Sequence, residues 1–161
     1  MRKRVYIETT IPSFYFERRP EPEMVARRNW TEAWWKEHGP RFDLVTSVAV
    51  LEELERGHHP RREDALALVS ELTLLPIEDE IYEVVDAYIE HTVMPRNPRG
   101  DALHLALASY HRCHFLLTWN CAHLANASKV EHIRHVNNLL GLFVPILTTP
   151  VELLSDPGDP R

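Results

Sequence analysis

The feature that most constrains this chain is its alternation of short, continuously apolar strand-like runs with helix-length amphipathic segments. Val5-Tyr6-Ile7, Leu74 to Ile77, Phe115-Leu116-Leu117 and Val144 to Leu147 do not alternate apolar with polar residues. A strand that is apolar on both faces has to be covered on both faces, as in the parallel sheets of α/β proteins. The segments between these runs are long enough to be crossover helices. The expected architecture is therefore a three-layer α/β/α sandwich around a central, mostly parallel sheet.

The first strand is expected at 4–8, ended by a turn at Ile11-Pro12-Ser13. A helix over 22–38 carries Trp30, Trp34 and Trp35 at helical spacing and stops at Gly39-Pro40. A strand at 42–46 leads into Ser47, a residue type that caps helices, and the helix behind it runs through Leu51 and Leu54 to Gly57. An amphipathic helix over 61–72 precedes the strand at 74–77, and a helix over 78–94 follows, with Ile81, Val85, Tyr88 and Ile89 on one side. After an irregular loop at 95–100, Asp101 opens a helix whose buried face is Leu103, Ala106, Leu107 and Tyr110. A strand at 115–118, a helix over 122–140 ending at Gly141 and a strand at 144–147 complete the pattern. The polar, proline-rich residues 154–161 read as a frayed tail.

The 161 residues have the size of one domain, and with 44% apolar and 26% charged residues neither disorder nor a fibrous repeat is expected. No apolar stretch approaches the roughly 20 residues of a membrane helix. Glu8 interrupts what would be the apolar part of a signal peptide behind Arg2, Lys3 and Arg4, so the expected location is the cytoplasm. Cys113 and Cys121 are too few for a disulfide framework and read as reduced, small hydrophobes. The formal net charge of −6 argues against a broad basic groove, so any nucleic-acid contact has to be local. Arg18-Arg19, Arg27-Arg28 and Arg61-Arg62 are candidates, though a solvated helix face is the favoured reading of each.

In open α/β sheets the functional crevice lies beyond the carboxyl ends of the strands, where strand order reverses. Four polar residues fall at such places: Glu8, Glu53, Asp101 and Asn120. Glu8 closes an apolar strand, where a carboxylate has to reach water, a hydrogen-bond network or a cation. Glu53 lies in the first two turns after Ser47, Asp101 opens its helix, and Asn120 follows the strand at 115–118 after one tryptophan. Brought together, three carboxylates raise one another's pKa unless a cation neutralises them, and an oxygen-rich, sulfur-free set selects Mg²⁺ or Mn²⁺. Spacing alone leaves plainer readings open. Asp101 reads as an N-cap, Glu53 as part of a solvated acidic run, Glu8 as a helix-capping strand end and Asn120 as a turn residue.

The segments Val5-Tyr6-Ile7-Glu8-Thr9-Thr10, Thr46-Ser47-Val48-Ala49-Val50-Leu51 with Glu53, Leu54 and Gly57, Gly100 to Ala106 and Leu116-Leu117-Thr118-Trp119-Asn120 stand in this order along the chain. In that order, with the closing Thr149-Pro150-Val151-Glu152-Leu153, the chain resembles the PIN-domain family over nearly its whole length. The resemblance implies a nuclease that gathers acidic side chains around Mg²⁺ or Mn²⁺ to cleave RNA, and it is similar to the VapC-type toxins of toxin–antitoxin pairs. By position, Glu8 stands for the family's first aspartate, Glu53 for its glutamate and Asp101 for its second aspartate, which makes these three the expected metal ligands. Asn120 replaces an aspartate found in many members, keeping a carbonyl oxygen but losing a charge.

Thr9 and Thr118 are expected to orient water or phosphate, and Arg96 and Arg99 to hold flanking phosphates. His104 lies on the Asp101 side of its helix and reads either as a site residue or as a packed one. The implied partners are an RNA substrate, an antitoxin protein and a second copy of the chain, the last also suggested by an exposed tryptophan-rich helix. Rival readings are a PIN-like binding or regulatory module with weakened catalysis, and a nuclease acting on DNA. A zinc site from Cys113, His114, Cys121 and His123 is disfavoured, because the intervening strand would hold the two pairs more than ~13 Å apart.

Overall fold

The computed structural model describes residues 2–91, 99–120 and 127–153. Five strands form one sheet: β1 (Arg4–Ile7), β2 (Asp43–Ser47), β3 (Thr73–Leu75), β4 (Phe115–Leu117) and β5 (Ile146–Thr148). Their order is β3-β2-β1-β4-β5 and every neighbouring pair is parallel. The helices are α1 (Thr10–Tyr15), α2 (Pro22–Ala33), α3 (Val48–Arg56), α4 (Arg62–Ser70), α5 (Asp79–Glu90), α6 (Arg99–Tyr110), α7 (Ala127–Leu140) and α8 (Pro150–Leu153). The expected three-layer α/β/α arrangement is what these elements build.

Two features of the sheet explain why its carboxyl edge is the place for a site. The chain first moves outward from β1 through β2 to β3, then crosses back to place β4 on the other side of β1 and continues to β5. With right-handed crossovers, this reversal puts α1 to α4 on one face and α5 to α7 on the other. The helices diverge between β1 and β4, leaving a crevice at the switch point. The strands beside it are dry: Val5, Tyr6, Ile7, Leu116 and Leu117 are all fully buried.

Where local pattern and structure differ, long-range packing is the cause. The residues read as a turn after β1 form α1, because Ile11 and Pro12 are buried under it. Pro12 is tolerated there, as the first helical turn does not need its N–H. The tryptophan-rich segment is not an exposed helix: α2 passes into a π-helical turn at Trp34–His38 and a 3₁₀ turn at Gly39–Arg41. Trp34 is fully buried and stacks on Phe42 at 5.8 Å, which leaves only Trp30 of the three exposed. Asp101 does not open its helix but lies in the first turn of α6, so it is not an N-cap. Ser47 occupies the N-cap position of α3 without a side-chain capping bond. Gly141 closes α7 with φ of +71°, a conformation that favours glycine. Among the described residues, no helix is long and apolar enough to cross a membrane.

Candidate active site

Glu8 directly follows β1 and Thr118 directly follows β4, so the register that pairs Ile7 with Leu117 brings the two side by side. The Glu8 N–H donates to the Leu117 carbonyl at 3.2 Å and carries the ladder one residue past the strands. Across that step the Thr118 hydroxyl donates to Glu8 Oε1 at 2.9 Å, and Thr10 donates to the same oxygen from its N–H at 2.8 Å and from its hydroxyl. Glu8 is only 4% exposed. Burial pushes its carboxyl up, and that effect outweighs the charge of His104 and the Thr10 and Thr118 hydrogen bonds, which push it down.

Glu53 arrives from the next strand. β2 ends at Ser47, α3 begins at once, and two turns later Glu53 accepts the Thr9 hydroxyl at 2.6 Å on Oε2 and pairs with His104 Nε2 at 2.7 Å on Oε1. His104 is 1% exposed and its other ring nitrogen meets the Tyr6 hydroxyl at 2.7 Å, which in turn meets Ser47 Oγ at 2.8 Å. Burial alone would raise the Glu53 carboxyl and lower the imidazole. Their mutual hydrogen bond and charge win, so Glu53 shifts down and His104 up, with Glu8 and Asp101 adding to the upward push. A protonated His104 would donate from both ring nitrogens, and the Tyr6 hydroxyl would then donate to Ser47. A buried chain of three side chains, Ser47, Tyr6 and His104, thus runs from the end of β2 through β1 and α6 to the half-buried Glu53.

Asp101 stands in the first turn of α6, where the helix dipole favours a carboxylate. A Cβ built on Gly100 would lie 3.5 Å from Glu53 Oε1, which sets this turn against Glu53. The Asn120 amide donates to both oxygens of Asp101, at 3.2 and 3.3 Å. Asn120 is itself held by its N–H on Thr118 Oγ1 at 2.9 Å. Glu8, Glu53, Asp101 and Asn120 therefore meet at the carboxyl edge of the sheet, tied to one another through Thr9, Thr118 and His104. The donor groups of Thr9 and Thr118 serve the carboxylates. Arg96 lies outside the described residues, and of Arg99 only the backbone, at the start of α6, is described.

These oxygen donors suit a hard divalent cation, which in the case of Mg²⁺ is ordinarily held by one or two carboxylates with water and phosphate completing the shell. Among the described residues, however, no three His, Cys, Asp or Glu side chains form a group that would hold an ion directly. Each carboxylate is instead engaged by a neighbouring hydroxyl, amide or imidazole. Cys113 and His114 stand apart from this site. The Cys113 thiol is buried and pushed up to about 12, and the His114 ring accepts the Arg4 N–H at 3.0 Å; Cys121 and His123 lie outside the described residues.

Cleft size does not single out these carboxylates: a cleft of about 590 Å³ lies among Glu17, Arg18, Arg28 and Arg61. A cleft of about 570 Å³ gathers Arg2, Asp43 and Thr73 at the amino ends of β1, β2 and β3. The cleft beside Glu53, between Arg56, Tyr82 and Gly100, measures only about 230 Å³. Sequence reasoning singled out the acids but not Tyr6, Ser47 and Thr10, and it left His104 undecided. The available signal was the three-residue spacing of Asp101 and His104, which puts both on one side of α6.

The frame is an open, all-parallel sheet with Glu8 at the end of β1 and Asp101 in the first turn of α6. The PIN domain family model matches residues 5–120, and the chain belongs to that family, whose members are generally nucleases. No curated protein matches the chain.

Proposed function

We propose that the protein is a divalent-cation-dependent endoribonuclease that hydrolyses phosphodiester bonds in RNA at the Glu8, Glu53, Asp101 and Asn120 site. The observation that carries this reading is the convergence of three carboxylates at the switch point, each fixed in orientation by a dedicated hydrogen-bond donor. Mg²⁺ or Mn²⁺ would be held by Glu8, Glu53 and Asp101, in part through water, and would supply a water of lowered pKa and charge stabilisation at the phosphoryl oxygens. Thr10 and Thr118 hold Glu8 in one rotamer, His104 and Thr9 hold Glu53, and Asn120 holds Asp101. Such fixed geometry limits reorganisation as charge develops on the phosphate. Arg96, which precedes α6 in the sequence, and Arg99 are the side chains assigned to flanking phosphates.

Asp101→Asn is the direct test. The substitution keeps the shape of the side chain and its contact with Asn120, so the variant is expected to melt close to the parent while losing Mg²⁺- or Mn²⁺-dependent cleavage of RNA. Cleavage at the parent rate would sink the assignment. The resemblance extends the reading to a toxin with a protein antitoxin and to self-association of the chain. Growth arrest on expression of the parent but not of Asp101→Asn would support the toxin reading. The second reading, a PIN-like binding module with weakened catalysis, is favoured by Asn120 and by carboxylates already satisfied from within the protein. It predicts RNA binding that Mn²⁺ neither strengthens nor converts to cleavage.

A further inference from the structure

Beside the carboxylates the chain builds an aromatic shelf that the chemistry above does not use. Trp119 lies between Thr118, which holds Glu8, and Asn120, which holds Asp101. Its backbone N–H donates at 2.9 Å to Thr10 Oγ1, a second Glu8 partner, and its indole N–H donates at 2.9 Å to Thr31 Oγ1 on α2. Both ends of this residue are thereby fixed. Trp30, one helical position before Thr31, stacks on Trp119 at 6.3 Å between centroids with the rings 24° from parallel. Arg27, one turn earlier on α2, places its guanidinium carbon 5.3 Å from the centre of the Trp119 ring and 5.4 Å from that of Phe14.

Trp30 is the outer leaf of this stack and is 43% exposed. The apolar area it leaves in water is surface that a flat ligand can cover. A protein partner would need a contiguous apolar surface of several hundred Å². α2 does not offer one, since Trp30 is its one exposed large hydrophobic side chain among the described residues. A single preformed ring matches one unpaired nucleobase, while Arg27, whose guanidinium pairs with Glu23 at 2.8 Å, backs the Trp119 ring behind it.

Building on the proposed nuclease site, we infer that Trp30, backed by Trp119 and Arg27, is a stacking subsite for one unpaired base of a single-stranded substrate, next to the bond the site cleaves. Stacking on an indole tolerates any base but requires that base to be out of a duplex. The shelf therefore selects strand state rather than sequence. It also supplies affinity that a chain with a formal net charge of −6 does not obtain from a wide basic surface.

The test is a titration of the protein with a short oligoadenylate RNA in EDTA, read as quenching of tryptophan fluorescence and, independently, as anisotropy of a labelled strand. The same strand annealed to its complement serves as comparison. Trp30→Ala is expected to weaken single-strand binding about tenfold, within the range for one base–aromatic stack, while Trp30→Phe retains most of it. Trp30→Ala gives up the stack on Trp119 and is expected to melt below the parent, whereas Trp30→Phe keeps a ring there and melts closer to it, and in Mn²⁺ the loss is expected to show as a raised KM. Duplex binding as tight as single-strand binding, equal single-strand affinity in Trp30→Ala and the parent, or no binding by the parent would each overturn the subsite. Dimerisation of the parent that Trp30→Ala abolishes would reassign the shelf to a second copy of the chain. Failure of the nuclease reading looks different: Trp30-dependent binding in EDTA with no cleavage in Mn²⁺ leaves the shelf standing. Cleavage that is indifferent to Trp30 does the reverse.

Discussion

Replacing Asn120 by aspartate tests the geometry of the acidic site most sharply. In the parent, the Asn120 amide donates to Asp101 Oδ1 and Oδ2 at 3.2 and 3.3 Å. In Asn120→Asp that amide becomes a second carboxylate at the same separation. Two unit charges 3.3 Å apart repel by about 5 kcal/mol at an effective dielectric constant of 20 and about 1.3 kcal/mol in bulk water. Both residues are half-buried, which puts the repulsion between those bounds, and side-chain rotation relieves part of it. Loss of hydrogen bonds to a charged acceptor adds about 1.5 kcal/mol or more. A net destabilisation of about 2–3 kcal/mol follows, which in a domain of this size lowers Tm by roughly 5–10 °C. A divalent cation converts the added charge from a liability into a ligand, so Mn²⁺ is expected to raise the Tm of the variant more than that of the parent. Thermal melts of both proteins in EDTA and in millimolar Mn²⁺ check this. If the variant melts within about 1 °C of the parent in EDTA and Mn²⁺ moves neither, residues 101 and 120 do not face each other and the acidic-site argument fails.

Other outcomes follow from the same contacts. Glu8→Gln keeps the acceptor for Thr10 and Thr118 but removes a buried charge; because burial raises the native carboxyl, Glu8 gives up stability as pH rises through its titration. The variant is therefore expected to be more stable than the parent in EDTA near neutral pH, to lose that advantage in acid, and to lose Mn²⁺-dependent cleavage. Glu17 works in the opposite sense. It accepts the backbone N–H of Arg18 and Arg19 and a forked pair from the Arg19 guanidinium, whose hydrogen bonds hold its carboxyl at about 2. With an unfolded value near ~4.3, the stability it contributes is present above about pH 4.5 and is lost as pH falls toward 2. The unscreened shift corresponds to about 3 kcal/mol. Arg19, however, is 60% exposed. Solvent screening brings the expectation down to roughly 1 kcal/mol. Urea midpoints of parent and Glu17→Gln are expected to differ at pH 7 and converge near pH 2; a gap that does not depend on pH would refute the pairing.

How much of this was readable beforehand depends on the range of the forces involved. Runs such as Val5 to Ile7 and Phe115 to Leu117 state their burial locally, because a strand with no polar face has no solvent side. They were enough to predict a parallel sheet with helices over both faces. The rule that sites lie at strand ends collected Glu8, Glu53, Asp101 and Asn120 as candidates, and the resemblance to the PIN-domain family favoured them over plainer roles. The pattern was silent where two elements far apart in sequence decide the outcome. Tyr6 reaches Ser47 and His104, 41 and 98 residues away, and Thr118 reaches Glu8 across 110, so neither the buried chain behind Glu53 nor the clamp on Glu8 has a local signature. The tryptophans show the same division. Helical spacing placed Trp30, Trp34 and Trp35 along one segment, but only packing against Phe42 buried Trp34, and only the arrival of Trp119 after β4 gave Trp30 its stacking partner. Sequence periodicity determined which elements form and which of their ends carry acids, since both are set by residues within a few positions of each other. The partners of each side chain were decided by the tertiary structure, because hydrogen bonds and ring contacts form wherever the sheet order brings atoms within reach.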